Sequence, residues 1–217
     1  MSRKHFGTDG IRGVANGTLK PELAFLIGQA AGRYLREAGQ PLSVAIGRDT
    51  RRSGTMLAGA LTAGLCSAGA NVLDLGIVPT PTVSFTARTG PHGLGVVISA
   101  SHNPAPDNGI KLLGHDGRKL PDEVELRIEK LMEEEFDSRP VAGDVGCLAH
   151  SRDALDAYLD FLEAIVPERL DGMKVGDQML LYKPRSAQIV RSGGGVRELG
   201  VPVVWARQRA RGCVETV

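Results

Sequence analysis

The stretch Val96 to Lys111 reads V-V-I-S-A-S-H-N-P-A-P-D-N-G-I-K. It places two serine hydroxyls, an imidazole and a lysine around a loop between two apolar runs. A serine hydroxyl is a poor nucleophile unless a base or an electrostatic field assists it. One chemistry is hydrolysis with Ser101 as nucleophile and His102 as base. Against it, the two are adjacent in sequence, whereas nucleophile and base normally come together from distant segments, and no G-x-S-x-G elbow is present. The other chemistry is a serine that carries a phosphoryl group and hands it on. Such transfer needs positioning and positive charge more than a strong base. Arg12, His102 and Lys111 are the candidates to supply them. The structural alternatives are an N–H donor that shapes the turn for His102 and a solvated strand residue for Lys111.

Four polar, glycine-rich loops stand out: Gly7–Gly13 (G-T-D-G-I-R-G), Gly47–Gly54 (G-R-D-T-R-R-S-G), Ser99–Pro104 (S-A-S-H-N-P) and His115–Lys119 (H-D-G-R-K). Glycines let backbone N–H groups approach an anion, and arginine offers a planar fork to phosphate oxygens. Any one of these loops reads as an ordinary turn. Three that set arginine or lysine beside glycine point to a phosphorylated ligand, bound where loops gather at one end of an α/β sheet.

The elements that must position these loops alternate up to about residue 136. Leu23, Leu26, Ile27, Ala30, Tyr34 and Leu35 recur at helical spacing after Pro21, and Gly39-Gln40-Pro41 stops that helix. Leu42–Gly47 is a short apolar strand. Ser53 is the expected cap of a second helix with Leu57, Ala60, Leu61, Leu65 and Ala68 inward. Asn71–Gly76 is the next strand, Pro79–Arg88 a short helix with a proline start, and Gly93–Ser99 a third buried strand. Asn108-Gly109 and Asp116-Gly117 are turn signals that make I-K-L-L a hairpin return. Pro121 opens a helix with Val124, Ile128 and Leu131 on one face. The alternation argues for a layered α/β domain. After a D-S-R-P-V-A-G-D linker, Ser151 caps a helix with Leu155, Tyr158, Leu159, Leu162 and Val166 inward, closed by Pro167. Leu170–Val175 starts a new strand.

Composition narrows the function classes. The net charge of +1 over 217 residues argues against a chain built for nucleic acid or a membrane surface. Cys66, Cys147 and Cys213 form neither a disulfide framework nor a paired ligand spacing, which fits a reducing, cytoplasmic setting. The N-terminus has no apolar signal-peptide core, and no apolar run approaches the ~18 residues a spanning helix needs. From Gly176 to Val217 the character changes, with seven Lys/Arg against three Asp/Glu. The A-R-Q-R-A-R piece lacks the interleaved aromatics of a nucleic-acid module.

F-G-T-D-G-I-R-G, G-R-D-T-R-x-S-G, P-T-P and I-S-A-S-H-N-P-x-x-D-N-G-I-K together resemble the α-D-phosphohexomutases, in order and spacing from about Arg3 to Val175. The resemblance implies a three-layer α/β/α domain with a mixed sheet over residues 1–137, then a linker, helix and start of a second domain over 138–175. It implies an isomerase in which Ser101 is a phosphoserine that donates its phosphoryl group to a phosphorylated hexosamine. A sugar bisphosphate forms, turns over in the site and returns its other phosphoryl group. Lys111 is then the general acid/base, Arg12 a contact to phosphate, His102 a further active-site residue, and the Ser101 phosphate one ligand of Mg²⁺. The family's Asp-rich D-G-D-x-D-R loop, which completes the Mg²⁺ site, is not found in this sequence, nor are the later sugar-recognition domains. The expectation is an incomplete chain, inactive alone, with residues 176–217 an atypical basic tail from a shifted reading frame or a truncated gene product. A different hexose phosphate, as in a phosphoglucomutase or phosphomannomutase, and a non-catalytic phosphosugar-binding domain are the alternatives.

Overall fold

A computed structural model of the chain describes residues 4–165 and, beyond them, the backbone of short strands between 174 and 198. The chain divides into two compact units, residues 1–155 and 156–217.

The first unit is built on a six-stranded sheet in the order β1-β5-β4-β2-β3-β6, with β1 Ile11–Val14, β2 Ser43–Arg48, β3 Asn71–Ile77, β4 Leu94–Ile98, β5 Asp107–Gly114 and β6 Leu148–His150. Strands β4, β2, β3 and β6 run parallel, and β5 is antiparallel to both β4 and β1. Four helices belong to this sheet: α1 Pro21–Glu37, α2 Gly54–Ser67, α3 Thr80–Thr89 and α4 Asp122–Glu133. The alternation of side chains along each strand sorts them onto two faces. Val44, Ile46, Val72, Val96, Ile98, Ile110 and Leu112 form one core with α1, α2 and α4. Ala45, Leu75, Val97 and Leu113 form a smaller core with Val83 of α3 and with Ala154 and Leu155. The expected three-layer domain with a mixed sheet is thus observed.

Helices α1 and α2 cross with almost no space between their backbones. A Cβ at Gly64 would lie 2.8 Å from the Gln29 nitrogen and would also strike the Phe25 carbonyl. Leu26, expected inward, is 39% exposed, so the buried face of α1 is carried by Ala24, Ile27, Ala30, Ala31 and Leu35. The Ser53 side chain makes no cap bond. Its Oγ instead accepts from Asn108 Nδ2 at 2.9 Å. The Asn108-Gly109 pair is not a turn but lies inside β5, with Gly109 opposite Arg12 of β1. Asp116-Gly117 does turn the chain, with the Gly117 N–H donating to the Gly114 carbonyl at 2.9 Å.

Helix α5, Ala154–Ile165, starts as its sequence predicts: the Ser151 Oγ accepts from the Ala154 N–H at 3.0 Å. Tyr158 and Leu159 are buried and Leu155 and Leu162 half-buried. Val166, Pro167, residues 170–173 of the expected strand and most of the basic tail lie outside the described residues. Strands β7 Lys174–Gly176, β10 Gln188–Arg191 and β11 Gly195–Glu198 pair antiparallel, as do β8 Met179–Leu180 and β9 Lys183–Pro184. Among the described residues no helix is long and apolar enough to cross a membrane.

The backbone of residues 4–6 is held to α4 by one carboxylate. Glu129 of α4 accepts the backbone N–H groups of Lys4 (2.9 Å), His5 and Phe6 (2.7 Å). Burial pushes its carboxyl up, but the backbone donors outweigh this and hold it below the ordinary value. Because the folded value is depressed, the contribution to stability is present above the ordinary 4.5 and is lost as pH falls through the folded value. Glu129→Ala should cost about 2 kcal/mol at neutral pH. Glu129→Gln should flatten the loss of stability with acid. Urea denaturation between pH 3 and 7 checks both, and unchanged midpoints would refute the anchor.

Candidate active site

Strand alternation decides which side chains can meet. Ile11 of β1 and Ile110 of β5 are paired in register, and both are buried in the larger core. Their successors, Arg12 and Lys111, therefore point to the opposite face. Asp9, in the turn before β1, lies between them: Oδ1 pairs with Lys111 Nζ and Oδ2 with Arg12 Nη2. The Lys111 hydrogen bond, with Arg12 adding to it, holds the Asp9 carboxyl below the carboxylate range against a smaller effect of burial. Asp9 is thus an ionised bridge between two cations. It was legible only as a loop acid three residues before Arg12.

The serine loop leaves the carboxyl end of β4. The Ser99 N–H donates to the Gly109 carbonyl at 2.9 Å, which continues the β4–β5 ladder one step past Ile98. Gly109 is required here. A Cβ would stand 2.7 Å from the Ser99 carbonyl oxygen and 3.1 Å from Arg12 Cγ. The same close approach brings the Arg12 side chain beside the backbone that leads to Ser101.

Ser101 is exposed and has φ of +57°, in the left-handed region. An L-residue pays on the order of 1–2 kcal/mol to stand there. Its Oγ lies 3.4 Å from Nδ1 of the exposed His102. Its N–H donates to Ser99 Oγ at 2.9 Å, and Ser99 Oγ in turn donates to Asp49 Oδ2 at 2.7 Å. Asp49 follows β2, so the two loops are tied by this relay.

Of the expected residues, the fold joins Ser101 to His102 and Arg12 to Lys111. Among the described residues no hydrogen bond or ion pair links the two pairs. Asp9, Asp49 and Ser99 join the site without having been singled out. The His115–Lys119 loop does not join it. Strand β5 is antiparallel, and its far end pairs Gly114 with Leu94 at the start of β4. That loop therefore sits at the opposite end of the strands, with Lys119 paired to Asp122 and Glu125. A hard cation wants several oxygen ligands. Among the described residues no group of three or more His, Cys, Asp or Glu could hold a metal ion, so these residues by themselves do not make a Mg²⁺ site.

The exposed, left-handed Ser101 thus stands on the loop between the antiparallel strands β4 and β5 of a three-layer α/β domain. Residues 3–139 match the family model "Phosphoglucomutase/phosphomannomutase, alpha/beta/alpha domain I", and the chain belongs to that family. It is 49% identical over 174 residues to a phosphoglucosamine mutase of Desulforamulus reducens, covering 79% of this chain and 39% of that one. It is 51% identical over 174 residues to the phosphoglucosamine mutase of Bacillus subtilis, with the same coverage of 79% and 39%. A crystal structure of a phosphoglucomutase/phosphomannomutase family protein from Burkholderia thailandensis superposes with a TM-score of 0.65 at 31% identity, over 76% of this chain and 36% of that one. The chain thus spans about two-fifths of the length of the curated relatives it matches.

The strain at Ser101 has a measurable consequence. Ser101→Gly should raise stability by about 0.5–1 kcal/mol, because glycine relieves the left-handed penalty but costs more chain entropy. Ala100→Gly, at a fully buried neighbour, should lower it. Equilibrium denaturation of the two variants checks this, and a destabilised Ser101→Gly would show that the serine side chain holds the loop.

Proposed function

We propose that this chain carries the phosphoserine-bearing domain of a phosphoglucosamine mutase. The observation that supports this best is the exposed, left-handed Ser101, set on the loop beside Arg12 and Lys111 in domain I of this family. In the first half-reaction the O1 hydroxyl of glucosamine 6-phosphate attacks the Ser101 phosphoryl group. The Oγ–P bond breaks, the O1–P bond forms, and Ser101 Oγ takes up a proton as the sugar hydroxyl loses one. The product is glucosamine 1,6-bisphosphate. After the bisphosphate turns over, Ser101 Oγ attacks the phosphoryl group on O6 and glucosamine 1-phosphate leaves.

Lys111 is the group assigned to proton transfer at the sugar hydroxyl, which asks a substrate to displace Asp9 from it. Arg12 is assigned to the substrate phosphate. His102, 3.4 Å from Ser101 Oγ, is assigned to the phosphoryl acceptor itself. Mg²⁺ bound to the Ser101 phosphate would neutralise charge on the transferred group; its further ligands are not among the described residues. A phosphorylated hexosamine and its bisphosphate are the proposed partners, in the cytoplasm. The name shared by the relatives near 50% identity favours glucosamine over other sugars. The family description, which names glucose and mannose mutases, supports the second reading.

A chimera tests the activity. Residues 3–175, exchanged for the corresponding part of the Bacillus subtilis relative, should give an enzyme that interconverts glucosamine 6- and 1-phosphates. Ser101→Ala in that chimera should cut turnover by more than about a thousandfold, and Lys111→Ala by about a hundredfold. Turnover retained in Ser101→Ala would refute the phosphoserine assignment. Faster turnover of glucose or mannose phosphates would favour the second reading, and phosphorylation of Ser101 without isomerisation would favour a binding domain.

A further inference from the structure

Arg51 lies in the G-R-D-T-R-R-S-G loop, where an arginine would ordinarily be read as a contact to phosphate. Its geometry says otherwise. The side chain is 12% exposed. Nη1 donates to the carbonyls of Pro104 (2.7 Å) and Asp107 (3.1 Å), and Nη2 to those of Ser101 (3.1 Å) and Asn103 (2.8 Å). Nε donates to Asp49 Oδ2 at 3.0 Å. A guanidinium has five N–H donors, and all five are engaged by the protein. None remains for a ligand anion.

Three of the five acceptors are main-chain carbonyls of the serine loop, the fourth is that of Asp107 at the start of β5, and the fifth is the carboxylate that also accepts from Ser99 Oγ. The loop is therefore gripped from both sides of Ser101. Arg51 holds its carbonyl, and the Asp49–Ser99 relay holds its N–H. Those two bonds fix the peptide planes on either side of the left-handed Cα, and so the direction of the Ser101 side chain. Arg51 itself is held by Asp49, whose Oδ1 accepts the Arg51 backbone N–H at 2.9 Å.

We infer that Arg51 is a positioning residue for phosphoryl transfer at Ser101: it clamps the serine loop so that Oγ is presented in one fixed direction, and it binds no substrate phosphate. This rests on the phosphoserine reading above. A lysine at this position keeps the charge, but its single nitrogen cannot reproduce a fork with five directed donors.

The test uses the chain as it stands, with Arg51→Lys as the main variant. Ser99→Ala, which removes only the hydroxyl between Asp49 and the Ser101 N–H, is the second. Ser101 phosphorylation by glucosamine 1,6-bisphosphate with Mg²⁺ is followed by intact-protein mass spectrometry over a range of donor concentrations. Amide hydrogen exchange is followed in residues 99–107 and in strands β2 and β4. Arg51→Lys should lower the maximal phosphorylation rate at least tenfold with the half-saturating donor concentration changed less than twofold. Exchange should quicken in 99–107 and not in the strands. Ser99→Ala should shift both readouts in the same direction by a smaller factor. A higher half-saturating concentration at unchanged maximal rate would make Arg51 an anion contact and overturn the inference. Unchanged rate with faster loop exchange would reduce it to a fold-stabilising residue and also overturn it. If the wild-type chain takes up no phosphoryl group, the rates are read in the Bacillus subtilis chimera above, and absence of Ser101 phosphorylation there is the result by which the phosphoserine reading fails. Loop exchange then decides the clamp alone: quickening confined to 99–107 upholds it and unchanged exchange overturns it.

Discussion

The pairing of two buried isoleucines, Ile11 and Ile110, across the antiparallel β1–β5 ladder is the contact on which the site depends. Side chains alternate along a strand, so burying both isoleucines in one core leaves Arg12 and Lys111 no choice of face. A slip of one residue would put two cations into the aliphatic core and two isoleucines into the site. The cost of either makes the register firm. Gly109 then allows the backbones of β1, β5 and the serine loop to close to contact, which brings Arg12 beside the strand that ends in Ser101.

Around that rigid frame the reactive loop is deliberately strained. Ser101 stands in a conformation that glycine would occupy more cheaply, and it remains there because its surroundings over-determine it. Ser99, Asp49 and Arg51 fix the peptide planes on both sides of its Cα. The two cations are treated differently from Arg51. Arg12 and Lys111 meet a single carboxylate, Asp9, whose side chain is 45% exposed. Arg51 meets only fixed backbone and a half-buried carboxylate.

Much of this was legible in the chain. Helical spacing after Pro21, the apolar runs Leu42–Gly47 and Gly93–Ser99, and the Ser151 cap each led to the element observed. The loops that follow β2 and β4 stood out in the sequence as polar, hydroxyl-bearing stretches beside apolar runs. The misreadings share one cause. Asn108-Gly109 carries a strong local turn signal, yet it runs straight through β5, because Asn108 bonds to Ser53 and Gly109 fills a gap too small for a side chain. Ser53 looked like a helix cap for the same local reason. Strands β1 and β6 are too short to show a period, and only their partners make them strands.

Local composition by itself therefore determined the layered α/β class, the order of most elements and the place of the polar serine loop between two strands. Each of these follows from periodicity or from residue chemistry within a few positions. Tertiary structure alone decided the rest: that β5 runs antiparallel and carries His115–Lys119 to the opposite end of the strands, that Asp9 sits between Arg12 and Lys111, and that Arg51 grips main-chain carbonyls. The Arg51 bonds join residues 50 to 56 positions apart, and Asp9 meets Lys111 from the other end of the domain sequence; burial and close approach that no local window contains set these contacts.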